Sequence, residues 1–515
     1  MSSIAENNKR IAKNTLLLYV RMIFIIIVGL YTSRILLNTL GVNDYGIYNV
    51  VGGIVAMLAF LNAAMTQASQ RFISFELGTQ NLQRLKEVFS TSVTIHLVIA
   101  GIIFLIAETI GVWFLNTHMN IASDRMIAAN WVFQCSILTF IITVISVPYN
   151  ACIVAHEHMK AFAYISIIEV ILKLVIVCLL MIFHTDKLIA YAIFMLGVSL
   201  MIRLIYGIYC KRKFEECSCK FSYNKKLFNE MFSFAGWSLI GSLGFSFKDQ
   251  AANIILNLFQ GAAVNAARGI ALQVNGIISN FSNNFIMSLN PQITKQYAGG
   301  KIAESIQLVY TGCRYSFFLL SLITIPIMIN IDYLLQLWLV TVPVYTSQFL
   351  QFALIAALIG SMANPLVTAM QATGNIKLFQ ISICIIMLCE LPLSYFVLEM
   401  GYEPYWVMIP TIVVTLIGLI ARIFLLKRLI KEYSLSFFII NIILRNICIA
   451  CICFGISKVI HNYFEINFTN FIITSFVSFI LTFCGIIILG MSQRERVFLY
   501  NKLQIIINAN QQSAF

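Results

Sequence analysis

Eight cationic side chains, Arg21, Arg34, Lys173, Arg203, Lys248, Arg268, Arg422 and Arg445, stand in stretches otherwise apolar enough to lie in a membrane, together with four carboxylates, Glu108, Glu169, Asp249 and Glu390. A charge in hydrocarbon costs roughly 2.5–3.5 kcal/mol on insertion scales, so it faces a cavity or a partner. An arginine there suits pyrophosphate, because its planar fork donates two parallel hydrogen bonds and keeps its charge when desolvated. Lys248 adds a further cation. A buried carboxylate such as Asp249, or Glu390 close to Pro392, suits ion coupling by titration or Na⁺ binding; an ion pair with a nearby cation is the alternative for Asp249.

These groups differ in how much they say. Arg203 and Arg422 lie near helix ends, where a long stem lets the charge snorkel to the interface. Glu169 and Lys173 stand four apart in the favoured order for a helical ion pair. Arg21 lies about 12 Å inside its helix and shares a face with Asn14 and Thr32. Ser238, Ser242, Ser246, Asp249, Asn253 and Asn257 recur at spacings of 4, 4, 3, 4 and 4, which places them on one stripe. Lys248 falls off that stripe. Arg268, Asn275, Ser279 and Ser282 repeat the pattern on the following helix. Such stripes line water or act as polar glue between helices.

Composition demands a membrane around these residues. The chain of 515 residues is 60% hydrophobic and 11% charged, with mean hydropathy +0.88, whereas soluble proteins carry about 25% charge. Fourteen runs are long enough to cross as helices, near 14–39, 45–68, 88–115, 127–154, 161–183, 187–210, 230–258, 262–289, 309–339, 345–371, 378–398, 404–426, 436–460 and 467–490. With a cytoplasmic N-terminus, twenty-three of the 34 Lys and Arg fall in cytoplasmic loops and only Arg125, Lys187 and Lys458 outside, which sets the orientation and puts both termini in the cytoplasm. The net charge of +13 is thereby mostly topology, and nucleic acid is not expected as a partner.

The chain divides into a six-helix lobe at 1–210, a basic linker at 211–229, a second six-helix lobe at 230–430, two further helices within 431–490, and a tail from 491. The lobes resemble each other at matched spacing. Asp44-Tyr45-Gly46-Ile47 pairs with Ala267-Arg268-Gly269-Ile270, and Pro148 with Lys160 pairs with Pro365 with Lys377. Parallel repeats around a central site are a transporter plan. The fold class is therefore an all-α polytopic membrane protein, two parallel lobes around a central cavity with two appended helices. Most cysteines lie in apolar runs and act as small hydrophobes. Cys217 and Cys219 are too few for a metal site, and His156-Glu157-His158 reads as a solvated turn. No cofactor or metal is expected. Motifs for nucleotide, metalloprotease or serine-hydrolase chemistry are absent from the sequence, so no enzyme is expected.

Asn14-Thr15-Leu16, Ser33-Arg34-Ile35-Leu36 and Leu40-Gly41-Val42-Asn43-Asp44-Tyr45-Gly46-Ile47-Tyr48 resemble the opening of bacterial polysaccharide flippases of the O-antigen and capsule type, in the multidrug/oligosaccharidyl-lipid/polysaccharide exporter superfamily. The resemblance extends over essentially the whole chain. It implies transport of a polyprenyl-pyrophosphate-linked oligosaccharide from the cytoplasmic to the outer leaflet of the bacterial inner membrane, through a V-shaped cavity lined by predicted helices 1, 2, 7 and 8. Arg21 and Arg268 occupy helices where such flippases place cavity cations; Arg34 belongs to the motif itself, near the outer end of its helix. Polysaccharide-assembly proteins are implied partners beside the bilayer and the lipid-linked glycan. Within the superfamily the rivals are a cation-coupled multidrug exporter and a lipid II-type flippase. Outside it they are a membrane-embedded glycan polymerase or ligase, or a scaffold; a polymerase is expected to carry a large outer loop, and the longest here is about 116–126.

Overall fold

In a bilayer no water takes up free backbone N–H and C=O groups, so a spanning chain must satisfy them within its own helices. The computed structural model describes residues 2–56, 59–119, 121–182, 186–217, 224–339, 341–465, 467–493 and 495–497, and among these the chain is helical, with no strand. The helices are α1 (Ser2–Ala56), α2 (Ala59–Thr79), α3 (Leu82–Ile106), α4 (Val112–His118), α5 (Met126–Ala155), α6 (Met159–Leu180), α7 (Lys187–Lys213), α8 (Lys225–Ala298) and α9 (Ile302–Ile329). Then follow α10 (Ile331–Trp338), α11 (Thr346–Ser361), α12 (Asn364–Thr373), α13 (Lys377–Leu388), α14 (Glu390–Glu399), α15 (Met408–Leu429), α16 (Leu435–Phe438), α17 (Arg445–His461) and α18 (Phe468–Gly485). Single π-turns continue α3 into α4, join α16 to α17 and extend α18 to Gly490.

Eleven helical segments among the described residues are long and apolar enough to cross a membrane. The three remaining expected spans, 45–68, 230–258 and 262–289, are helical over their described residues but fall outside those eleven. Large apolar side chains point outward, as at Leu105, Ile182, Leu204, Phe424 and Phe476. In water so much exposed apolar surface would drive association; in hydrocarbon it meets a matching solvent. The chain is a multi-pass membrane protein.

Packing divides the chain into two compact units, each discontinuous in sequence. One joins Met1–Lys248, Asn284–Leu308 and Val367–Leu388; the other joins Asp249–Asn283, Val309–Leu366 and Cys389–Phe515. In the first, α5 packs against α2, α3 and α7. In the second, α11 packs on α15 and α17 on α18. Two expected spans break at prolines or polar residues. Pro392 has no N–H for the Leu388 carbonyl, and α13 gives way to α14 at Cys389. The span expected at 309–339 divides at Asn330 into α9 and α10.

Two other junctions are sharper. α1 runs through one expected span and into a second, α8 runs through two, and each is interrupted by one glycine in nearly the same conformation, Gly41 at φ 78°, ψ 168° and Gly261 at φ 78°, ψ −173°. That region is essentially closed to residues with a Cβ. The elbows sit at corresponding places in the two halves, but Gly41 lies five positions before Gly46 and Gly261 eight positions before Gly269. The sequence pairing of Gly46 with Gly269 is thus displaced from the structural pairing by three residues, close to one helical turn.

Three segments of the first unit meet at one cation. Arg125 donates from Nε to Asp44 Oδ1 at 2.9 Å and from Nη1 to Asp186 Oδ2 at 2.6 Å, and its Nη2 closes a second bond to Asp44. Asp186 also caps α7, accepting from the Leu188 and Ile189 amides at 3.0 and 3.3 Å. Partial burial opposes the charged form of Asp186, but Arg125 and those amides outweigh it and hold the carboxyl below its ordinary value. The adjoining core contains Leu115, Ala129, Val132, Phe133 and Leu188.

The elbows give a direct test. A Cβ on Gly41 would meet nothing within 4 Å, so any cost of Gly41→Ala comes from the backbone alone, about 1–3 kcal/mol. Gly29 in the same helix has equally open surroundings, and Gly29→Ala should be neutral or stabilising. Thermal unfolding of the two variants in detergent should show a lower midpoint for Gly41→Ala only.

Candidate functional site

Arg21 is half-buried on α1, with its guanidinium 4.4 Å from the centre of the Phe162 ring of α6. Glu169 of α6 and Tyr206 of α7 lie within electrostatic range. Its Nε is buried and has no hydrogen-bond partner among the described residues. Lys173 donates to Glu169 Oε1 at 2.6 Å, the helical pair expected from the spacing. Glu169 is thus paired with Lys173 and lies only within electrostatic range of Arg21. Arg34, farther along α1, is exposed.

The polar stripe is divided between different environments. Ser238 is buried and Ser242 and Ser246 are half-buried, all in the first unit, where Gly241 and Gly244 pack closely on Gln380 and Cys384 of α13. Lys248 is buried with its ammonium 5.4 Å from the Phe245 ring. The side chain of Asp249 lies outside the described residues. In the second unit Asn253 accepts a bond from Arg268, which is only 2% exposed, while Asn265 donates to the Asn253 carbonyl at 2.9 Å. Arg268 and Asn253 thus clasp the chain on either side of the Gly261 elbow. Asn275 and Ser279 are half-buried farther along α8. Glu390 is completely buried and accepts from Thr411 of α15 at 2.7 Å.

The sequence missed a carboxylate that three side chains share. Glu157 is buried, and it accepts from Arg10 Nε at 2.8 Å, Gln292 Nε2 at 2.6 Å and Lys295 Nζ at 2.7 Å. Its carbonyl takes a bond from Asn14 at 3.4 Å, and Thr15 meets Ser288 at 2.8 Å. The His156–His158 turn is therefore not solvated at its centre; it ties the start of α1 to the end of α8. Burial lowers the Lys295 ammonium from its ordinary value, with Glu157 opposing and only partly offsetting. Nearby in the same unit, Arg71 donates to the carbonyls of Gln371 and Ala372 at 3.1 and 3.2 Å between the rings of Phe72, Phe75 and Phe234. The two ties are related. The constant spacing that pairs Pro148 with Pro365 places Glu157 on Gly374, and both have left-handed backbones, φ 61° and 79°. A glycine matched to a glutamate in the repeat was the available signal, and periodicity does not carry it.

The described residues contain no group of three or more His, Cys, Asp or Glu placed to hold a metal ion. Cys217 lies 3.8 Å from Cys152, and Cys219 is outside the described residues.

The fold has solved counterparts. The chain is similar to a MATE protein in its straight conformation, with TM-score 0.70 and 13% identity over 83% of this chain and 97% of that one. It is similar to an outward-facing multidrug resistance MATE family transporter of the MOP superfamily, at 0.65 and 14% over 81% and 96%. It is also similar to the MATE transporter ClbM in complex with Rb⁺, at 0.66 and 13% over 81% and 94%. At this identity the likeness is one of fold. No curated protein sequence matches the chain significantly. The polysaccharide biosynthesis protein family matches residues 11–296, more than half of the chain, so the protein belongs to that family of membrane transporters within the MOP superfamily.

Proposed function

We propose that this protein is a flippase that moves a polyprenyl-pyrophosphate-linked oligosaccharide from the cytoplasmic to the outer leaflet for cell-surface polysaccharide synthesis. The observation that carries the reading is Arg21: a guanidinium within a membrane helix, within electrostatic range of a carboxylate that Lys173 already pairs, with its buried Nε lacking an acceptor among the described residues. A pyrophosphate would complete that arrangement. In this reading Arg268, Arg34 and Lys248 add positive potential along the path, and Ser242, Ser246, Asn253, Asn275 and Ser279 supply hydrogen bonds to sugar hydroxyls. The cation-rich loops face the cytoplasm, and the ties at Glu157 and Arg71 close that side between transport events. Entry of cargo from the cytoplasm requires them to part.

A cation-coupled cycle is favoured by one further observation, the fully buried Glu390 held by Thr411. Asp249 is the second carboxylate for that role. Ion-driven uptake into vesicles should fall in Glu390→Gln or Asp249→Asn if either carboxylate titrates in the cycle; transport equal to the parent in both excludes it.

The primary test is genetic and chemical. In cells dependent on this protein, Arg21→Ala should abolish surface glycan while the protein remains inserted, and Arg21→Lys should restore only part of it, since an ammonium cannot form the paired bonds. Unchanged glycan on deleting the gene would sink the flippase reading. Glu157 supplies an independent check on the closed side. Glu157→Ala and Glu157→Gly both lose the carboxylate and should lower the unfolding midpoint, as breaking a buried pair costs about 3–5 kcal/mol. Glycine accepts the left-handed backbone, so it should recover about 1–2 kcal/mol relative to alanine.

A further inference from the structure

The second unit holds a cavity of about 220 Å³ that the transport reading leaves unused. It lies where α10, the end of α17 and the start of α18 converge. Its walls carry three rings, Tyr333, Phe464 and Phe471, of which Tyr333 and Phe471 stand 5.2 Å apart at 36°. Around them are the amides of Gln336, Asn467 and Asn470, the carboxylates of Asp332 and Glu465, and the cationic or titratable Lys458 and His461.

Local bonds fix the polar groups and leave part of each one over. Asp332 Oδ1 accepts from Ser347 at 2.6 Å, Asn467 Oδ1 caps the Asn470 amide at 2.8 Å, and Asn470 Nδ2 donates to the Glu465 carbonyl at 2.9 Å. Among the described residues no bond engages Asp332 Oδ2, Asn467 Nδ2, Asn470 Oδ1 or the Gln336 amide. His461 Nδ1 is buried without a partner among them. Donors and acceptors are thus mixed around aromatic walls. An inorganic anion would use only the donors, and a metal cation only the acceptors. A phospholipid headgroup would use the charges and leave the amides and rings idle. A pyranose ring uses all of it, because each hydroxyl both donates and accepts while the apolar face of the ring stacks on an aromatic side chain. The volume is smaller than the roughly 300–1,000 Å³ of drug-sized pockets and suits one ring.

We propose that this cavity binds a single pyranose unit, a sugar subsite built by α10, α17 and α18. It rests on the flippase reading only in taking that unit as part of the cargo. On the proposed topology the subsite faces the outer side, where it would hold the glycan after crossing and give the appended helices a task.

Saturation-transfer difference NMR on the full-length protein in nanodiscs tests it, using free hexoses, N-acetylhexosamines, 6-deoxyhexoses and hexuronates as probes. At least one class should receive saturation at its ring protons, and the signal should be lost in Tyr333→Ala. Gln336 is exposed on α10, so Gln336→Ala provides a second variant that should weaken the signal with little risk to folding. No transfer to any probe, or transfer unchanged in both variants, overturns the proposal. A co-purifying phospholipid seen by native mass spectrometry and lost in Lys458→Ala, with no sugar signal, would assign the cavity to a lipid headgroup and overturn it equally. Free monosaccharide binding needs no transport, so failure here leaves the flippase reading intact, and failure of the genetic test leaves this site intact.

Discussion

Charge in hydrocarbon is the constraint on which the rest of this structure depends. Every ionisable group carried into the membrane must be met by a partner, a ring or a cargo, because the solvent supplies nothing. The chain answers in graded ways. Lys173 takes Glu169 on its own helix, Arg268 takes an asparagine across an elbow, Arg203 lies over the ring of Tyr149, and Glu390 takes a threonine from a neighbouring helix. Arg21 is stacked on a ring and carries a buried Nε with no hydrogen-bond partner among the described residues. The same rule makes it a candidate for meeting cargo.

At the cation-rich ends the solution differs. Glu157 gathers donors from two distant helix ends, and Arg71 is spent on backbone carbonyls. Both ties depend on a turn residue with a left-handed backbone, a glutamate in one half and a glycine in the other. The halves therefore keep the geometry of the repeat while exchanging its chemistry: one places an acid in the turn to receive cations, the other leaves the turn bare so that a cation can approach its carbonyls.

Much of the architecture was legible because the membrane leaves so few options. Long apolar runs must be helices, and the expected spans are largely helical over their described residues, with breaks such as those at Asn330 and Cys389. The pair Glu169–Lys173 followed from spacing alone. The rest was hidden for specific reasons. Glu157 sits in a three-residue turn whose neighbours are polar, and its partners lie more than 130 positions away, beyond any periodic signal. The helical stripe of Ser238 to Asn257 is real as a spacing, yet its residues fall in two compact units, a division set by tertiary packing. The pairing of Gly46 with Gly269 matched letters, whereas the backbone matched Gly41 with Gly261.

The Arg125 clamp bears on how proteins of this kind are grouped. Asp44 belongs to the stretch by which the sequence is most easily likened to polysaccharide flippases, and its carboxylate is occupied by Arg125 in company with Asp186. What that stretch advertises is the joinery of the first helices, not the sugar. A likeness that rests on it reports a shared scaffold, and whatever letters choose the cargo lie elsewhere than in this clamp.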